Sequence, residues 1–296
     1  MIVVTAPTGN IGRQVVRNLL DADAPVRVIV RDPARLAEDV RERVEIVTGT
    51  HRDPEVVTSA FTGADAVFWL VPPDPQATSM HAAYTDFSKP ACEALVSQGV
   101  ARVVSISALG RGLPIAANAG LVTASLAMDD LIASTGVALR ALVLPTFMDN
   151  WLRQVDLIRE HNRITAPVDG DRPNPTCATR DIAATAARLL LDDSWTGQDS
   201  VAVLGPEDLS PNEMARIMSE VLHRPIEFHR TPDEEHAAQL RAGGGRSEAM
   251  VQAVIDMMVA KQQGLDNSEP RTPEASTPTT FRQWCAEVLA PAVDAR

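Results

Sequence analysis

Short stretches that are apolar on both faces alternate with stretches of helical periodicity through the first half of this chain. The strand-like runs are Ile2–Ala6, Val26–Val30, Val44–Val47, Ala66–Val71, Val103–Ile106 and Val137–Leu144. Between them lie a helix with Ile11, Val15 and Leu19 on one face, a short helix around Ala34–Val40, and helices over Pro54–Phe61, Tyr84–Gln98 and Ala124–Ser134. A strand apolar on both faces has to be covered on both, and a parallel sheet with crossover helices provides that cover. The pattern predicts an α/β fold, a doubly wound parallel sheet.

After Pro145 the rhythm changes. Helices are expected over Trp151–His161, Arg180–Leu191 and Pro211–Leu222, the last capped by Ser210, with a short strand at Val201–Leu204. Glu234–Gln263 reads as helix interrupted by Gly243-Gly244-Gly245, and Asn267–Thr280 as a loop before a final helix. The expected division is a sheet domain of residues 1–150 plus about 178–204, and a smaller, mainly helical C-terminal substrate domain of about 151–177 and 205–296.

The first strand runs into APTGNIG and then a helix. Strand, glycine-rich turn and helix together form a phosphate cradle, because the first helical amides point at whatever sits before them. Gly9 and Gly12 match the last two glycines of G-x-G-x-x-G, while Pro7 stands where the first belongs, or Ala6 in the looser G-x-x-G-x-x-G spacing. The competing reading is a turn that needs glycine only for close packing. The second strand ends in VIVRDP, which puts Arg31 about 20 residues past the turn, where a Rossmann-type fold meets the adenosine ribose. A guanidinium there suits the 2′-phosphate of NADP, whereas the neighbouring carboxylate of Asp32 would suit a ribose hydroxyl.

Bulk chemistry excludes several other classes. A formal charge of −12 argues against an extended nucleic-acid or anionic-membrane surface. Cys92, Cys177 and Cys285 are far apart and odd in number, so neither a disulfide framework nor a metal site is expected, and a reduced cytoplasmic setting fits. No apolar run approaches the roughly 18 residues of a membrane span, and no charged leader precedes IVVTA. His223 and His229 flank RPIEF without a third ligand, so no metal is expected there either.

TGNIG, the Arg31 strand end, VTGTHRDPEVVTSAFTGADAVFWLVPP, ARVVSISALG, ALRALVLPTFMDN, ATRDIAATAARLLL, VLGPEDLSPNEMARIMSEVLHRPIEF and TPTTFRQWCAEVLAPA follow one another in this order. The ordered set resembles the NmrA-like family of atypical short-chain dehydrogenase/reductases across nearly the whole chain. The resemblance implies an NADP(H)-binding Rossmann domain. Thr8, Gly9, Asn10, Ile11 and Gly12 would lie at the pyrophosphate, Arg31 at the adenosine phosphate, and Val71 and Pro72 near the adenosine half. Ser107 would sit near the nicotinamide, flanked by Pro145, Thr146 and Phe147. In many relatives a lone lysine contacts the nicotinamide ribose; here Ser125 takes its place in ASLAMDDLIASTG, with Asp129 at the acidic position.

Conventional short-chain dehydrogenases use a Tyr and a Lys four residues later, the ammonium lowering the phenol's pKa for proton exchange. The one tyrosine, Tyr84, is followed by Lys89 five residues on, just before Pro90, so that pair cannot exist. Two readings follow. One is a reductase needing no strong acid: hydride to a quinone, enone or conjugated cation leaves charge delocalised, and a weak donor such as Ser107, Tyr84 or His81 suffices. The other is a non-catalytic NADP(H) sensor serving a regulatory protein partner, as the family's founding member implies. A biosynthetic enzyme with a repurposed, non-redox pocket is a third.

His81 and Tyr84, three apart, are read as sharing one helical face. Phe147, Met148 and Trp151 would form a wall for a flat, apolar substrate, or else plain core. Asn150 would orient a carbonyl or cap the helix at Trp151. Asp129-Asp130 is set aside as a site because neighbours on a helix diverge, and Gly243–Gly245 is read as a flexible lid over the substrate cleft, or else plain disorder. The oligomeric state is left open.

Overall fold

The computed structural model describes residues 1–72 and 74–295. The strands are β1 (Ile2–Val4), β2 (Val26–Val30), β3 (Glu45–Thr48), β4 (Ala66–Trp69), β5 (Arg102–Ala108), β6 (Ala138–Leu144), β7 (Thr146–Phe147), β8 (Arg163–Ala166), β9 (Asn174–Cys177), β10 (Gln198–Ala202), β11 (Asp208–Leu209) and β12 (Glu227–Arg230). The α-helices are α1 (Gly12–Asp21), α2 (Glu38–Arg41), α3 (Pro54–Phe61), α4 (Phe87–Ser97), α5 (Leu121–Ala133), α6 (Val155–His161), α7 (Thr179–Leu191), α8 (Pro211–Leu222), α9 (Asp233–Ala242), α10 (Glu248–Gln262), α11 (Phe281–Trp284) and α12 (Ala290–Asp294). They divide between two compact units. One comprises Met1–Ala108, Val122–Val143 and Ile182–Val201, and the other Leu109–Leu121, Leu144–Asp181 and Ala202–Arg296.

The first unit carries a seven-stranded parallel sheet in the order β10-β6-β5-β4-β1-β2-β3. The reversal lies at β1, with β2 on one side and β4 on the other, Ile2 pairing with both Val26 and Ala66. That is the doubly wound arrangement, and it leaves the turn after β1 at the switch point where ligands bind. Val3, Val4, Val28, Val67, Val103 and Val104 are fully buried, as strands covered on both faces require. Thr5 fastens the end of β1 to the end of β4: its hydroxyl donates to Phe68 O at 3.0 Å and accepts from Leu70 N at 2.9 Å.

The segment expected as one helix over Tyr84–Gln98 begins with a wide π turn, Ala82–Asp86, before α4. The reason is Pro90 inside α4: a proline has no N–H for the carbonyl four residues back and its ring crowds that carbonyl, so the preceding turn widens. The same device recurs at Cys285–Leu289, just before Pro291. The expected helix over Trp151–His161 is a 3₁₀ stretch, Met148–Gln154, followed by α6.

The second unit is mostly helical, with two small sheets, β11-β9-β7 and β12-β8. Its core joins Met148, Ile158, Ile164 and Met218 to Phe281, Trp284 and Leu289, and Phe281 stacks on Trp284 with ring centres 5.6 Å apart. Ser210 caps α8 through a full capping box with Glu213.

Candidate functional site

In the first unit the turn after β1 is closed by contact. A methyl group on Gly12 would lie 2.2 Å from the carbonyl oxygen of Ala6, so nothing larger than glycine fits. Ala6 itself has φ of 49°, the left-handed region that glycine favours, and so does a glycine's work at a cost in strain. Helix α1 starts immediately behind this turn with no side chain capping it and no acidic residue in its first turn. The positive end of the helix dipole therefore faces the turn and suits an anion, although Arg13 N and Gln14 N already donate to Gly9 O and Ile11 O. Gly9 and Asn10 are exposed, Thr8 is half-buried, and Ile11 anchors the turn by being buried. These features fit a dinucleotide pyrophosphate.

Arg31, at the end of β2, is exposed and makes no hydrogen bond or ion pair among the described residues. Asp32 is otherwise engaged: its carboxylate accepts from Ala34 N at 3.0 Å and caps the turn Pro33–Arg35. The free guanidinium and the occupied carboxylate favour a 2′-phosphate contact over a ribose contact. Val71 is buried beyond the end of β4, and Pro72 is exposed beside it.

Sequence reasoning missed His51. Its ring is buried against Trp69 and Phe87, with centroids 5.3 and 4.9 Å away, and its Nε2 lies 3.1 Å from Leu70 O. Burial pulls its pKa down to about 4, against the raising effect of the Leu70 hydrogen bond, and the Arg31 charge lowers it further. His51 is a neutral ring. His51 lies in a loop where periodicity carries no information, and its partners Trp69 and Phe87 are distant in sequence, so no local signal marked it.

The nominated proton donors fare differently. Ser107, on β5, is 6% exposed, and its hydroxyl donates to Asp129 Oδ2. Ser105 donates to Asp129 Oδ1 at 3.0 Å, and Asp129 is 2% exposed on α5. Asp129 and Asp130 do diverge, one buried and one exposed, but Asp129 is the buried acceptor for two β5 hydroxyls rather than a bystander. Ser125, one turn earlier on α5, is also buried. Its short side chain offers no ammonium and cannot reproduce a lysine's reach.

His81 and Tyr84 do not share a face. The π turn between them turns each residue through less than an α-helix does, so positions three apart diverge. His81 is exposed, with Nδ1 3.3 Å from Asp86 Oδ2, and Lys89 reaches the same carboxylate at 2.6 Å. Tyr84 packs on the first unit's core, and burial pushes its phenol up to about 12.

The remaining nominated residues lie in the second unit. Pro145 is buried, while Thr146 and Phe147, forming β7, are half-buried. Met148 is 2% exposed and belongs to the core, and Trp151 packs against that core, so the expected substrate wall reduces to Phe147 and the open side of Trp151. Asn150 caps no helix: the cap before the 3₁₀ stretch is Phe147, and α6 starts from Gln154. The capping acid here is Asp149, which takes Thr179 N at 3.0 Å and Thr179 Oγ1 at 2.8 Å at the start of α7. Gly244 and Gly245 take left-handed φ values of 62° and 71° after α9, a helix with no buried residue.

The switch-point glycine turn, uncapped α1 and free arginine at the end of β2 define a dinucleotide-binding Rossmann protein. Residues 7–193 match the model of an NAD(P)H-binding family. The chain is 31% identical over 298 residues to a (4-alkanoyl-5-oxo-2,5-dihydrofuran-3-yl)methyl phosphate reductase of Streptomyces griseus, covering 97% of each. It is 29% identical over 257 residues to an NAD(P)H azoreductase of Xenophilus azovorans, covering 87% of this chain and 86% of the relative. Its fold matches the Citrobacter triphenylmethane reductase complexed with NADP(H), with a TM-score of 0.79 at 18% identity over 97% of this chain and 98% of the other. The chain belongs to the NAD(P)H-binding family, in the NmrA-like branch of the atypical short-chain dehydrogenase/reductases.

Among the described residues, no helix is long and apolar enough to cross a membrane.

Proposed function

We propose that this chain transfers hydride from NADPH to a small, flat, conjugated or quinone-like acceptor without a dedicated strong acid. That it is an NAD(P)H-dependent reductase of small molecules rests on its family and on its reductase relatives. The choice of acceptor rests above all on Ser107, whose hydroxyl hydrogen is committed to the buried Asp129. With Tyr84 packed against the core, its phenol pushed up to about 12 by burial, and His81 at the surface, no nominated side chain is a free, acidic donor. An acceptor that delocalises the incoming electron pair needs no such donor, because water completes the protonation afterwards. The cofactor supplies the hydride; the protein's part is to hold and orient the reactants. Thr8–Gly12 would cradle the pyrophosphate, Arg31 would take the 2′-phosphate, and Val71 and Pro72 would border the adenosine. Ser107, Ser125, Pro145, Thr146 and Phe147 would frame the nicotinamide. The names of two relatives, an azoreductase and a reductase of a 5-oxo-2,5-dihydrofuran, each point to a conjugated acceptor, which supports the same substrate class.

The test is a fluorescence titration with NADPH and NADH, repeated on Arg31→Ala, followed by a screen of quinones, enones and conjugated cations. NADPH affinity should fall about tenfold to a hundredfold in the variant, the size of one or two charge-assisted hydrogen bonds, with NADH unchanged. Equal binding of both cofactors, insensitive to Arg31, would transfer the ribose role to Asp32. Binding of NADPH with no acceptor consumed would leave a sensor and sink the reductase reading.

A further inference from the structure

The second unit holds a cluster of buried polar side chains, termed the notch below, that this reading leaves unused. Asp266 is 3% exposed on the single turn Leu265–Ser268, which packs against β9. Its Oδ2 accepts from the Lys261 ammonium and, at 3.5 Å, from the Thr146 hydroxyl. Its Oδ1 is buried with no hydrogen-bond partner among the described residues, and so is the hydroxyl oxygen of Thr176, a residue 4% exposed. Thr146 and Thr176 are register partners in the parallel ladder of β7 and β9, so both side chains leave that small sheet on one face. Two unpartnered buried oxygens, one of them on a carboxylate, thus belong to side chains gathered around one short ladder.

Such groups are rare in folded proteins because each has given up water for nothing in return. Lys261, one of two lysines in the whole chain, already balances the charge of Asp266. What the notch lacks is therefore a hydrogen-bond donor rather than a cation.

We infer that Asp266 Oδ1 and the Thr176 hydroxyl form a specificity site that takes a neutral hydroxyl or N–H group carried by the flat acceptor. This rests on the reductase reading only in that the ligand is the acceptor. A resident water is the competing occupant, and it would make the notch blind to substrate.

Two probes of one shape test it: 2-hydroxymethyl-1,4-naphthoquinone and 2-ethyl-1,4-naphthoquinone. Their binding to the full chain saturated with NADP⁺ is measured by calorimetry, so that nothing is turned over. The hydroxymethyl probe should bind at least tenfold tighter. That preference should fall to within about twofold in the double variant Asp266→Leu/Lys261→Met, which replaces the ion pair by apolar side chains and strands no charge. It should fall several-fold in Thr176→Val. Thermal melting reports on the folding of each variant, and if the double variant has misfolded, Thr176→Val decides alone. Equal binding of the two probes, binding of neither, or a preference that survives in the variants overturns the inference. Turnover of the ethyl probe with NADPH is scored separately, so a failed reductase reading and a failed notch give different results.

Discussion

The turn at Ala6–Gly12 and the notch at Asp266 are both polar sites, built of opposite materials. The turn is backbone: the Ala6 carbonyl pressed against a glycine, a helix start with no side-chain cap, and one arginine arriving from the end of β2. The notch is side chain: a carboxylate, an ammonium and two hydroxyls drawn from β7, β9 and the end of α10 and beyond. A backbone site is specified by what must be absent, namely Cβ atoms, and tolerates variety elsewhere. A side-chain site is specified by what is present, and each member can be removed without breaking the chain's course.

That contrast can be broken most sharply at Gly12. Gly12→Ala puts a methyl 2.2 Å from Ala6 O, where backbone must move. The expected outcome is a loss of about 3 kcal/mol or more in stability and about a hundredfold or more in NADPH affinity, read by urea denaturation and fluorescence titration. Near-normal binding would show that the turn is not held by that contact.

His51 lies in the same unit as the turn and gives that unit a pH dependence. Its folded pKa of about 4 lies below the ordinary 6.5 of histidine, so the unfolded chain binds the proton first as pH falls. The stabilising contribution is whole above about pH 6.5 and is lost progressively as pH falls toward 4, for a total of about 3 kcal/mol. Denaturation midpoints at neutral and acidic pH should show that slope, and His51→Phe should flatten it. An unchanged slope in the variant would assign the acid sensitivity elsewhere.

The smallest effect has the opposite sign. Thr176→Val keeps the side chain's shape and deletes a hydroxyl with no partner, so the unliganded protein should gain about 1 kcal/mol. A melting temperature that rises while hydroxyl discrimination falls is the trade expected of a residue kept for a ligand. A drop in stability would mean that the hydroxyl is satisfied by water.

The same contrast explains what could be read in advance. Val26–Val30, Pro54–Phe61 and Pro211–Leu222 fall where periodicity and capping place them, because those signals are local. The glycine turn was legible for a related reason: glycine is itself a statement about backbone. The π turns were not, since the consequence of Pro90 falls on the turn before it, where His81 and Tyr84 were wrongly paired. Asp129 was dismissed by looking along its helix, when its partners Ser105 and Ser107 stand on a strand. Asp266 and Thr146 are 120 residues apart, and nothing in either neighbourhood announces the other.

The core of the second unit has a consequence for how the chain is made. Met148, Ile158 and Ile164 emerge first, whereas the Phe281, Trp284 and Leu289 that cover them are made much later along the chain, and Arg159 clasps the carbonyls of Ala292, Val293 and Ala295. At ordinary elongation rates the early half waits for seconds with its apolar side open. The last helical turns act as a latch on the nascent chain, and a ribosome that stalls shortly before Phe281 would release a protein whose first unit can fold while its second stays sticky.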